Sequence, residues 1–257
     1  GPDCGPGIVS SCPRPVAPAG NTWCRLLVEY ATGVFSGSVY NDKSLLESLP
    51  GEFTCNQQVS VIKVHPHTHP FEGLRTGYFQ SDATKCPRGH VDKIKRAILV
   101  IRDPFDSIWS EFQRRITKSH VGGILKADFD WHQWQANAAA MSHLYNLMWS
   151  VEHAGIEKHF PPQDYIYIKY EDLKNKATRV DTLEKIARFL DISLIERERL
   201  ECAFLLADKR DTHRVVDKQI TMSKEEAYVK PLACRMWALF GKHAARHGYT
   251  MWKNMDC

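Results

Sequence analysis

Apolar residues recur every three to four positions from Asn21 to Ala31, with Trp23, Leu26, Leu27 and Tyr30 on one side of a helix and Gly33 as its stop. The pattern then changes. "QVSVIKVH" (Gln57–His65) is rich in β-branched residues and predicts a strand. "RAILVIRDPFDSIWSEFQRR" (Arg96–Arg115) opens as a buried strand and turns into a helix at Asp103, a natural N-cap, with Pro104 suited to the first helical position. A long amphipathic helix is expected over Trp131–Ala154, where Trp131, Trp134, Met141, Leu144 and Met148 read as core or groove wall. "YIYIKYEDL" (Tyr165–Leu173) predicts another strand. Residues 178–192 predict a helix through Val180, Leu183, Ile186, Ala187 and Leu190, and further helices are expected at about 196–207 and 223–247.

Proline and glycine punctuate the rest. Pro2, Pro6, Pro13 and Pro15 make residues 1–16 an irregular lead-in with at most a short strand at Ile8–Cys12. Residues 66–92 hold Pro66, Pro70, Gly73, Gly77, Pro87 and Gly89 and read as a long loop, a length often tied to function. Strands alternating with helices predict an α/β fold with a central parallel sheet flanked by helices. No repeat or composition shift divides the chain, so residues 1–257 are expected to form a single domain.

Composition narrows the class. With 43% hydrophobic and 25% charged residues the chain reads as an ordinary globular protein. Its net charge of +4 suits an anionic ligand and is too small to argue for nucleic acid. No run approaches the roughly 18 apolar residues of a membrane span, so a soluble protein is expected. The opening Gly-Pro reads as a protease scar, and a membrane link is expected only through an anchor upstream of it. Eight cysteines, at 4, 12, 24, 55, 86, 202, 234 and 257, include no CxxC pair, which argues against zinc and for a few disulfides in a secretory compartment. The lack of an Asn-x-Ser/Thr sequon keeps a cytoplasmic location as the alternative.

The stretch "APAGNTWCRLLVEYATG" (Ala17–Gly33) places a small-residue turn directly before a helix. Backbone N–H groups of Gly20, Asn21 and Thr22 there form a ready anion cradle, aided by the helix dipole and the Thr22 hydroxyl. Phosphate-binding turns usually carry a lysine where this chain has Pro18. An Asn/Thr-capped helix after a turn explains the segment equally well on its own.

Further segments, in order, resemble a known family. "VIRDPFDSIWSEF" has Arg102, Pro104 and Ser110 in the spacing of an Arg-x-Pro-x-x-x-x-x-Ser element, "VIKVHP" is similar to a Lys-Thr-His element with Val64 for the threonine, and "KYEDLK" resembles a Tyr-Glu-Asp strand end. Together with the Gly-x-Thr-Trp turn, these resemble the sulfotransferases that use 3′-phosphoadenosine 5′-phosphosulfate (PAPS), over roughly residues 17–215. The first helix is most similar to the Golgi-type branch that includes the WSC-domain proteins, whose loop also lacks the lysine; no WSC domain is present in this sequence.

The resemblance implies a P-loop-like sulfotransferase fold, a location in the Golgi lumen, and residue roles. Ala19, Gly20, Asn21, Thr22 and Trp23 would hold the 5′-phosphosulfate, Arg102 and Ser110 the 3′-phosphate, and Tyr170 the adenine. "LECAFLLADKRDTHR" resembles a late nucleotide segment, with Phe204 as a stacking face and Arg210 or Arg214 as a phosphate partner. Lys63 would place positive charge at the leaving phosphate oxygen and cover, with Arg25, for the missing cradle lysine. His65 would be the general base, with Glu29 as its rival and His67 and His69 close by. No metal is required, and "HPHTH" lacks the partners of a metal site.

The expected reaction moves a sulfonate from PAPS to an acceptor hydroxyl, most readily on a glycan, leaving adenosine 3′,5′-bisphosphate. Residues 66–92 and 117–135 would line the acceptor pocket and carry no readable code. The alternatives are a phenol or alcohol sulfotransferase, a P-loop-like kinase, and an inactive nucleotide-binding relative. The kinase is disfavoured because no Gly-Lys-Ser/Thr follows the turn.

Overall fold

A computed structural model describes residues 21–38, 43–54, 59, 61–63, 96–118, 122–150, 154–192, 195–209 and 220–257. Helix α1 (Asn21–Thr32) ends as expected at Gly33, whose φ of 72° favours glycine and whose N–H closes onto the Glu29 carbonyl. Its environment differs from a one-sided amphipathic helix. Every residue from Trp23 to Glu29 is buried, Arg25 and Glu29 included.

Strand β1 (Gly37–Ser38) runs parallel to β2 (Ile62–Lys63), pairing Ser38 with Lys63. The predicted strand at 57–65 is thus described only at its centre, and β1 carries no periodicity that would announce it. Gly37 is there because a Cβ would lie 2.0 Å from the Thr54 carbonyl oxygen. Strand β3 (Ala97–Ile101) pairs in parallel with β4 (Tyr165–Lys169), Ala97 opposite Tyr165 through to Ile101 opposite Lys169. The described residues therefore hold two parallel pairs, and a single central sheet is not among them.

Asp103 caps α2 (Pro104–Thr117) as its position predicts, its carboxylate accepting from the Phe105 and Asp106 N–H groups. Helix α3 (Trp131–Met148) starts on Asp130 in the same way, and residues 149–150 continue it as a π-turn; residues 151–153 of the predicted span lie outside the described residues. Helix α4 (Ala154–His159) follows. Strand β4 ends at Lys169 rather than Leu173, because Tyr170 opens the short helix α5 (Tyr170–Lys174). Helices α6 (Arg179–Phe189) and α7 (Arg197–Lys209) lie close to their predicted spans. The expected helix at 223–247 is two: α8 (Lys224–Ala227), with a Ser223–Glu226 capping box, and α9 (Lys230–Arg246).

The described elements fall into two compact units. The first holds α1, the four strands, α4 from Gly155 on and α5 to α7; the second holds α2, α3, α8 and α9. In the first, Trp23, Leu26, Leu27, Ile98, Ile168, Leu183 and Phe204 belong to one core cluster. In the second, a Cys234–Cys257 disulfide ties the chain end to α9. No helix among the described residues is long and apolar enough to cross a membrane.

Candidate functional site

Three residues assigned to the nucleotide meet in the first unit. Trp23, in the first turn of α1, has its ring centroid 5.8 Å from Tyr170 of α5 and 5.9 Å from Phe204 of α7. The Lys174 ammonium stands 5.4 Å from the Trp23 ring centre. Trp23 is almost wholly buried, yet its indole Nε1–H has no hydrogen-bond partner among the described residues. An orphan donor of this kind fits an acceptor brought by a ligand. Tyr170 keeps partial exposure at the margin of the cluster.

Phe204 departs from its expected role. Its ring is fully buried, with the Arg179 guanidinium 4.5 Å from its centre, and Arg179 is itself paired with Asp208 at 3.4 Å. No open face is left for stacking; the ring supports Trp23 instead. The inward turn of α7 places it there, since Leu200, Ala203, Phe204 and Ala207 share one buried stripe.

A second group gathers behind β1 and β2. Arg25 is fully buried, its Nε donating to Ser36 Oγ at 2.7 Å, its Nη2 to the Ser36 carbonyl at 3.1 Å and its Nη1 to Glu52 Oε2. The expectation that Arg25 helps cover a phosphate is therefore corrected: it lies on the inward side of α1 and its donors are committed to the protein. Glu29 Oε1 accepts from the Ser36 N–H at 2.8 Å and from Ser36 Oγ at 2.5 Å, tying the end of α1 to the chain entering β1. Lys63 reaches the same region, its side chain 1% exposed and its ammonium 4.0 Å from Glu52 Oε1. Neither Glu52 nor Ser36 was legible in sequence. "GEFTC" matches no motif, and only the presence of buried Arg25 and Lys63 makes a carboxylate necessary.

In the second unit Arg102 immediately precedes the capped start of α2, and Ser110 lies on that helix; both are partly exposed. Ser110 follows Asp103 and Ser107 along one column of the helix. The N-terminus of α2 is taken by Asp103, so an anion here would depend on side chains. Tyr145 of α3 is buried nearby, and burial pushes its phenol well above the usual range, with the Ser107 hydroxyl and the Arg102 charge pulling the other way. Arg102 thus acts on groups beneath it as well as facing outward.

Asn21 and Thr22 open α1, so their N–H groups lie in the unsatisfied first turn, which carries no acidic residue to compete for an anion. Ala19, Gly20, His65, His67, His69, Arg210 and Arg214 lie outside the described residues. Among the described residues no three His, Cys, Asp or Glu side chains gather as a metal site.

Comparison with known proteins identifies the family. The family model described as "Sulfotransferase domain" matches residues 73–223. A WSCD family member of Drosophila pseudoobscura pseudoobscura is 30% identical over 194 residues, covering 73% of this chain and 52% of that protein. One from Drosophila melanogaster is 28% identical over 194 residues, 73% of this chain and 51% of its own length. One from Aedes aegypti is 30% identical, with the same coverage of 73% and 51%. The chain spans about half the length of the curated relatives it matches. With a family match over more than half of its residues, the chain belongs to the sulfotransferase family.

Proposed function

We propose that this domain transfers a sulfonate group from PAPS to a hydroxyl of a glycan. The observation that carries the reading is the meeting of Trp23 and Tyr170, which lie far apart in sequence and both belong to segments that resemble the family's nucleotide-binding elements. PAPS supplies a sulfonate already activated on a phosphate leaving group. Tyr170, the partly exposed member of the pair, takes the adenine, with Trp23 packed against it. The backbone from Ala19 to Thr22 receives the 5′-phosphate, and Arg102 with Ser110 receives the 3′-phosphate, joined by Arg210 or Arg214.

Lys63 balances charge on the phosphate oxygen as the S–O bond to it breaks and the S–O bond to the acceptor forms. His65 takes the acceptor proton. Glu29 is the weaker candidate for that step, because its Oε1 already accepts twice from Ser36. The Cys234–Cys257 disulfide supports an oxidising, secretory location.

Incubation with sulfur-35-labelled PAPS and a panel of glycan, phenol and aliphatic alcohol acceptors tests the reading. Label is expected on glycans. Label confined to phenols would overturn the acceptor class, and nucleotide binding with no label on any acceptor would identify an inactive relative.

A further inference from the structure

Lys63 is asked to carry positive charge from a position with almost no access to water, where an unpaired ammonium loses its proton readily. The group that answers this need is Glu52, on the segment between β1 and β2. Its side chain is fully buried, and its two oxygens are used differently. Oε2 accepts from Arg25, which fixes the carboxylate in place. Oε1 makes no hydrogen bond among the described residues and faces the Lys63 ammonium from 4.0 Å. At that distance the carboxylate lends charge without occupying one of the ammonium's N–H donors.

We propose that Glu52 is a positioning residue for sulfonate transfer: clamped by Arg25, it keeps Lys63 cationic at the end of β2. The inference rests on the reading of Lys63 as a nucleotide-facing lysine. The ionisable groups described around it are Arg25 and Glu29 of α1, joined through Ser36, and Glu52 itself, while Lys63 has other partners as well. The backbone is shaped for this. Gly51, next to Glu52, packs so tightly that a Cβ would lie 2.4 Å from the Ser36 carbonyl oxygen, which seats Glu52 against Arg25 and Ser36.

The test is the affinity for adenosine 3′,5′-bisphosphate, by calorimetry, between about pH 7 and about pH 10, a range that reaches the ordinary lysine value. In the parent protein affinity falls at the alkaline end. In Glu52→Gln, loss of the neighbouring anion favours the neutral amine, so the fall begins about one pH unit lower. In a Lys63→Arg background the guanidinium keeps its charge and Glu52→Gln produces no shift. If Glu52→Gln does not fold, Glu52→Asp serves, since a carboxylate drawn back by one methylene moves the fall in the same direction by less. A profile that superimposes on the parent's, while Lys63→Gln binds weakly, overturns the proposal alone. Lys63→Gln binding as tightly as the parent overturns the underlying reading and the proposal with it.

Discussion

The two units bury different chemistry. The second is built on aromatic rings: Trp134 packs edge-on against Trp109 at 5.2 Å and Tyr228 at 5.1 Å, and lies 5.0 Å from Phe112. Two of its buried polar tips end on backbone carbonyls, Trp134 Nε1 on Ala227 and the Tyr228 hydroxyl on Phe105. The first unit instead buries Arg25, Glu29, Glu52 and Lys63 behind a two-residue strand pair. Buried ion pairs rarely add stability over apolar packing of equal volume, because desolvation consumes most of the attraction. Packing accounts for the aromatic core; the ionic one calls for a functional reason.

The sharpest break in the comparison is at Trp134. Trp134→Ala should cost about 3–5 kcal/mol, a cavity plus an orphaned Ala227 carbonyl, read by denaturant unfolding. Next comes Arg25→Met, which strands Glu52 in the interior and should cost about 3 kcal/mol. The triple variant Arg25→Met/Glu52→Leu/Lys63→Met, which leaves no member of the group stranded, should recover most of that loss, which no truncation partner at Trp134 would do. Recovery would show that the ionic group is kept for something other than stability. Failure of the triple variant to recover would return the network to an ordinary structural role.

A smaller effect separates local from tertiary signals. Asp103→Ala removes two hydrogen bonds at the start of α2 and should cost about 1 kcal/mol in thermal or denaturant unfolding. The cap was legible because its signature, Asp before Pro, is local. The same holds for Gly33 and for the strand–helix switch at Arg102. Tyr170 was recognisable as a residue, but strand periodicity ran through it and hid the helix it opens. Strand β1 was illegible, since Gly37 and Ser38 have no strand propensity and their N–H groups are held by the Val61 and Thr54 carbonyls from distant segments. Phe204 reads in sequence as an open stacking face; its contact with Trp23 was not legible, and Arg179 lies over the ring. The ionic group needed three segments at once, so no single window contains it.

Acid should test the second unit independently. Glu111 of α2 is buried, which would raise its carboxyl, but hydrogen bonds from Arg114 and Arg115 outweigh this and hold it below the ordinary value. A lowered carboxyl adds stability above its unfolded value of about 4.3 and loses it as pH falls through the folded value, so Glu111→Gln should flatten the acid limb of a stability profile below about pH 4.3.

The account's central claim is that the domain reads a nucleotide with phosphates at both the 3′ and 5′ positions. Calorimetric titration with adenosine 3′,5′-bisphosphate and with adenosine 5′-monophosphate, on the parent and on Arg102→Ala, tests it most directly. The account predicts that the parent prefers the bisphosphate by about 30-fold, the scale of a charge-assisted contact worth about 2 kcal/mol, and that Arg102→Ala removes most of the preference. Equal affinity of the parent for both nucleotides would contradict it.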